Sequence, residues 1–180
     1  MTISLREATP DDAEALVAFT RELALEPDIG HPLELDEVRT VDVQQKELEE
    51  WQAKGPALFL LAFEGDRLIG ELTLKPWGRL RAVRHVVTLG ISVGRDARRK
   101  GVGRALIEHA ISWAKEHGVL RIELGVFSTN TRAIALYEKL GFVHEGTKRR
   151  LFFFRDRWID DRVMARWLGD ERLGQNDADE

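Results

Sequence analysis

Without cysteine, the 180-residue chain can form no disulfide, offer no thiolate to a metal and use no thiol as a nucleophile. It has no run of eighteen apolar residues, and Met1-Thr-Ile-Ser-Leu-Arg6-Glu7 lacks signal-peptide architecture, so a cytoplasmic protein without membrane attachment is expected. The five histidines show no ligand spacing, and no metal is expected. Tyrosine is almost absent, so phenol chemistry would fall on Tyr137 alone. Linkers and repeats are lacking too. With 43% hydrophobic residues, one domain over 1–172 is expected, followed by a frayed polar tail over 173–180.

Charge is unevenly placed. Residues 1–54 carry 14 acidic and 5 basic side chains, against 17 and 22 in the rest of the chain. The basic part suits a polyanionic ligand. It has no interleaved aromatics or recognition motif, so nucleic acid is not an expected partner.

The apolar periodicity gives an ordered set of elements. Ile3–Glu7 reads as a strand, and a helix follows from Thr9 or Asp11 to about Leu25, with Ala13, Leu16, Val17, Phe19 and Leu23 inward. Pro27 and Pro32 bound a loop. A second helix is expected from Asp36 or Asp42 to Lys54, with Val38, Val41, Leu48 and Trp51 inward and Gly55-Pro56 at its end. Residues 57–63 and 68–74 form a hairpin around Glu64-Gly-Asp-Arg67, and 75–84 an exposed basic loop. His85–Val93 reads as a strand buried on both faces, with a bulge or packing relief at Gly90. Leu120–Phe127 is another strand and Asn130–Leu140 a short helix. Residues 142–154 and 158–167 form closing strands around Arg155-Asp156. This order implies an α+β layered sheet.

The most informative stretch is Val93-Gly-Arg-Asp-Ala-Arg98-Arg-Lys-Gly101-Val-Gly103-Arg104, between a strand and a helix running to His117-Gly118. Outward amides at a helix start suit a phosphate-bearing ligand, and glycine lets the backbone approach it. Two better-known phosphate loops fail. Leu106 stands where a dinucleotide fingerprint needs its third glycine, and no Gly-Lys-Ser/Thr follows.

What remains, Arg98-x-x-Gly101-x-Gly103, resembles the pyrophosphate motif of the GNAT-type N-acetyltransferases. A second stretch, Asn130-Thr-Arg-Ala133-Ile-Ala-Leu-Tyr137-Glu-Lys-Leu-Gly141-Phe142, is similar to another motif of that family. The resemblance covers roughly Leu58 to Leu168. It implies a mixed, mostly antiparallel sheet with a splayed central parallel pair, flanked by helices on both faces. It further implies acetyl-CoA as donor, held by Ile91, Ser92 and Val93, by Arg98, Arg99, Lys100, Gly101, Val102, Gly103 and Arg104, and by Asn130, Ala133 and Tyr137.

Tyr137 would protonate the departing thiolate, and capping alone also accounts for Asn130. Where the resemblance implies a base glutamate, this sequence has Val87. His85, Glu71 and, more distantly, Glu123 are the remaining candidates, as is direct proton loss to water. With no cysteine, direct attack by the amine is favoured over an acyl-enzyme. The resemblance implies acceptor contacts from Glu26 to Glu34 and from Thr147 to Asp161, where the acidic Glu26, Asp28, Glu34, Asp160 and Asp161 could hold a cationic amine. The expected partner is a small primary amine. A protein N-terminus or lysine, or a non-catalytic acyl-CoA sensor, remains an alternative. The aromatic hairpin Phe152–Trp158 could pair two copies into a homodimer.

Overall fold

Alternating and β-branched runs become the strands and 3.6-periodic stretches the helices, because each exposes one apolar face that must be covered. A computed structural model of the chain describes residues 2–26, 30, 32–51 and 56–169. In chain order the elements are β1 (Ile3–Glu7), α1 (Ala13–Ala24), α2 (Val41–Trp51), β2 (Leu58–Glu64), β3 (Arg67–Pro76), β4 (Val86–Val93), α3 (Val102–Glu116), β5 (Arg121–Phe127), α4 (Thr131–Lys139), β6 (Val143–Phe154) and β7 (Arg157–Trp167). One seven-stranded sheet runs β1-β2-β3-β4-β5-β7-β6, with every neighbouring pair antiparallel except β4 and β5.

The sheet separates two cores. On one face α3 and α4 cover Leu72, Leu74, Val87, Leu89, Ile122, Leu124 and Met164. On the other, α1 and α2 cover Phe59, Leu61, Leu68, Phe127 and Phe154. The β6–β7 turn is formed by Arg155 and Asp156, both at positive φ (49° and 59°), as a two-residue turn matched to strand twist requires. Arg155 then donates to the carbonyls of Ala24 and Glu26, pinning this hairpin to the end of α1.

Three expectations need correction. The second helix begins at Val41, whose side chain is exposed rather than inward; Leu48 and Trp51 are the buried anchors. Its expected end at Gly55 lies outside the described residues, as does the polar tail. Second, β4 is not buried throughout: Val86, Val87 and Leu89 are, whereas Ile91 to Val93 are only half-buried. Thr88 and Gly90 are exposed on the face away from α3, Thr88 even while paired with β5, and past Glu123 β5 also leaves the edge of β4 uncovered. Third, the β3–β4 register runs from Gly70–Val93 to Pro76–Val87 without a shift, so Gly90 marks no bulge. A Cβ there would lie 3.0 Å from Thr73 Oγ1, so close packing explains this glycine. No helix among the described residues is long and apolar enough to cross a membrane.

Candidate active site

The parallel pair holds together for only three residues. Val86, Val87 and Thr88 pair with Arg121, Ile122 and Glu123, and beyond them the strands part. The second half of β4 is thus bonded to β3 on one side and has no strand on the other. Such an edge can accept an extended, amide-bearing ligand.

At the open end, Arg95–Ala97 forms one 3-10 turn and the chain enters α3 through Arg99 (φ 64°) and Gly101 (φ 87°). The first α3 bond runs from Ala105 N to Gly101 O, so the amides of Val102, Gly103 and Arg104 precede it at the positive end of the helix. Gly101 is required by its left-handed backbone, since a Cβ there would meet nothing within 4 Å. Gly103 is required for space: its Cβ would point at Leu136 (3.4 Å), Val93 (3.7 Å) and Ile91 (4.0 Å), into the gap on the α3 face. Arg99, Lys100 and Arg104 are exposed around this loop. Arg98 is differently used, donating from Nε to Val93 O (2.9 Å) and from its terminal nitrogen to Glu26 (2.5 Å). It braces the loop.

Tyr137 lies on α4, which starts just past the end of β5 and covers the α3 face. It is 6% exposed, its ring 5.8 Å from that of Phe142. Among the described residues its hydroxyl has no hydrogen-bond partner. Burial pushes the phenol well above its usual range, so it stays protonated at neutral pH. Asn130 Oδ1 accepts from Ala133 N (3.2 Å), capping α4, and a Cβ on Gly30 would lie 2.4 Å from its Nδ2. Gly30 thus leaves room for the Asn130 amide, which a side chain at 30 would displace.

The opposite face carries the carboxylates. Glu71 and Ser92 are register partners on β3 and β4, and the Ser92 hydroxyl hydrogen-bonds the Glu71 carboxylate. Packing beneath α2 pushes that carboxyl up to about 7, against the weaker pull of Arg39 and Lys75. Continuing the β4–β5 register past Thr88–Glu123 sets Ser92 level with Phe127, whose partner on β7 is Asp161. Glu71, Ser92, Phe127 and Asp161 thus form one row on one face, with the gap in its middle.

The structure does not bring the other base candidates to this row. His85 precedes β4 at the closed end of the pair, edge-on to Trp167, seven residues and so about 23 Å along the strand from Ser92. Glu123 sits four residues, about 13 Å, below the row, paired with Arg121 (3.1 Å) and accepting from Trp77 Nε1 (3.2 Å). Val87 faces the α3 core, so a carboxylate there would point away from Glu71. The acidic acceptor-side candidates also sort. Glu26 is taken by Arg98, Glu34 caps the 3-10 turn Leu35–Glu37, Asp160 accepts from Arg150 N, and Asp28 lies outside the described residues. Among the described members of that set, only Asp161 stands in the row. In the hairpin, Phe152 and Phe154 pack inward on Phe127, while Phe153 and Trp158 are exposed.

The sequence profile of the acetyltransferase (GNAT) family matches residues 20–142. The chain is 30% identical over 173 residues to the L-amino acid N-acetyltransferase AaaT of Escherichia coli, covering 91% of this chain and 97% of that enzyme. It is 48% identical over 74 residues to the Escherichia coli [ribosomal protein bS18]-alanine N-acetyltransferase, covering 41% of this chain but only 49% of that one. Its fold matches a GNAT-family acetyltransferase from Streptococcus pneumoniae with a TM-score of 0.86 at 32% identity, over 93% of this chain and all of the other. It also matches a phosphinothricin acetyltransferase from Sinorhizobium meliloti in complex with acetyl-CoA, with a TM-score of 0.85 at 23% identity over 99% and 95% of the two chains.

Proposed function

The chain belongs to the acetyltransferase (GNAT) family as an N-acetyltransferase, and from that premise we propose that it acetylates the primary amine of a small molecule, L-amino acids first, by direct attack in a ternary complex. One observation carries this reading: the parted strands have a buried phenol, with no hydrogen-bond partner among the described residues, on one face and an ionisable carboxylate on the other. Acetyl-CoA, when bound, supplies an activated thioester. The residues present suit it. The uncovered edge of β4 offers backbone groups to an amide-bearing arm, and the amides of Val102–Arg104 with Arg99, Lys100 and Arg104 suit its phosphates.

Glu71 takes the proton the attacking amine must lose. Tyr137 gives its proton to sulfur as the carbon–sulfur bond is replaced by carbon–nitrogen. Acid and base lie on opposite faces, so attack and departure need not compete for one side of the thioester. The near full-length match to an amino-acid acetyltransferase supports a small acceptor over a protein one.

The test is thiol release from acetyl-CoA, read with a colorimetric disulfide reagent to which this cysteine-free protein contributes nothing. Release is expected with L-amino acids. Release only with N-terminal peptides would move the acceptor to protein, and none from a protein that binds acetyl-CoA would make it a sensor.

A pH profile checks Glu71. The carboxyl is protonated, and useless as a base, below its raised pKa, so kcat/KM should rise with pH through about 7 and then level. Arg39, Lys75 and Glu47 face the same group and set where the inflection falls. Glu71→Gln should lower kcat on the order of 100-fold or more and remove that inflection. An unchanged profile would eliminate Glu71 and favour proton loss to water.

A further inference from the structure

We propose that Asp161 is the acceptor-binding residue of this enzyme, its carboxylate reaching from β7 over Gly125 to hold the incoming ammonium across the gap from Glu71. The inference rests on the amine-acetylation reading and adds to it the residue that receives the substrate.

Asp161 is 6% exposed, yet among the described residues nothing donates a hydrogen bond to it. Lys148, its register partner on β6, makes no ion pair with it. The Asp161 oxygens, unlike those of a fully enclosed carboxylate, keep contact with solvent and can receive a partner that arrives from outside. Its direction is fixed by the neighbouring strand: a Cβ on Gly125 would lie 2.7 and 2.8 Å from the two Asp161 oxygens. The side chain therefore leans across β5 toward the gap, in space that only a glycine at 125 leaves free. Glu71 leans the other way, from β3 onto Ser92 of β4.

The two carboxylates so occupy the ends of one row, on the face opposite Tyr137. Their surroundings divide the labour. Glu71 sits beside Ser92, with Arg39, Lys75 and Glu47 near, and titrates near neutrality. Burial raises the Asp161 carboxyl from its ordinary range, and Lys148 opposes that shift. The ammonium arrives charged, is held by Asp161, and gives its proton to Glu71 before attack.

The experiment compares wild type with Asp161→Asn and Gly125→Ala. The second variant keeps the carboxylate but pushes it out of its place. L-amino acids and simple primary alkylamines are titrated calorimetrically into the enzyme saturated with free CoA, and KM and kcat are measured on those acetylated. Both variants should weaken amine binding and raise KM about tenfold or more, a charged hydrogen bond being at stake, while the Kd for acetyl-CoA stays unchanged. Asp161→Glu should recover part of the loss. If amines bind wild type and both variants alike, the assignment of Asp161 is overturned while the acetylation reading stands. If no amine binds the wild-type CoA complex, the amine reading falls and Asp161 with it.

Discussion

Tyr137→Phe should lower kcat by about 100- to 10,000-fold while leaving the Kd for acetyl-CoA within about twofold, the range expected for losing a positioned general acid. The substitution removes one oxygen from a ring that otherwise packs on Phe142 within the α3–α4 core. Because the hydroxyl has no partner among the described residues, its loss strands no other polar group. Stability should therefore hold or rise slightly, which separates a chemical effect from a folding one in a single thermal melt. The buried phenol titrates well above its usual range, so the wild-type profile should show no alkaline loss from Tyr137 within the assayable range. Unchanged kcat in the variant would take Tyr137 out of the mechanism and leave solvent to protonate the sulfur.

Much of this architecture is written locally. The hairpin at Glu64–Arg67, the strand–loop–helix at Val93–Gly103 and the cap at Asn130 each follow from a few neighbouring residues, and each is present. What local reading could not supply was the consequence of one strand leaving another. The uncovered edge of β4 past Thr88 depends on β5 parting from β4 after Glu123, a fact about partners rather than about the apolar run itself.

The base candidates show the same divide. His85 has a suitable side chain in an unsuitable place, and counting strand rise from His85 to Ser92 is enough to separate it from the site. Glu71 needed the β3–β4 register to be set against Ser92. Asp161 did carry a signal: it shares two-residue parity with Ile159 and Val163, whereas Asp160 points the other way and takes the Arg150 amide. That Gly125 leaves room for its carboxylate follows only from the pairing of β5 with β7.

The two glycines of the loop should fail in different ways, and the difference tests the phosphate assignment. Gly101→Ala meets no atom but must adopt φ near 87°, which costs an alanine about 1–2 kcal/mol. It should weaken acetyl-CoA binding by about tenfold through a loop that sits less often in the binding shape. Gly103→Leu is more severe. Its side chain starts 3.4 Å from Leu136 and points between Val93 and Ile91, so it fills the α3 face of the gap beside the helix-start amides. Acetyl-CoA affinity should fall on the order of 100-fold or more, about 2.8 kcal/mol at least. The position is half-buried at the first turn of α3, so the helix itself can accommodate the larger residue and the circular dichroism spectrum should be retained. A folded Gly103→Leu protein that bound acetyl-CoA as tightly as wild type would show that the cofactor does not pass this turn. The cationic loop of Arg99, Lys100 and Arg104 would then need another ligand.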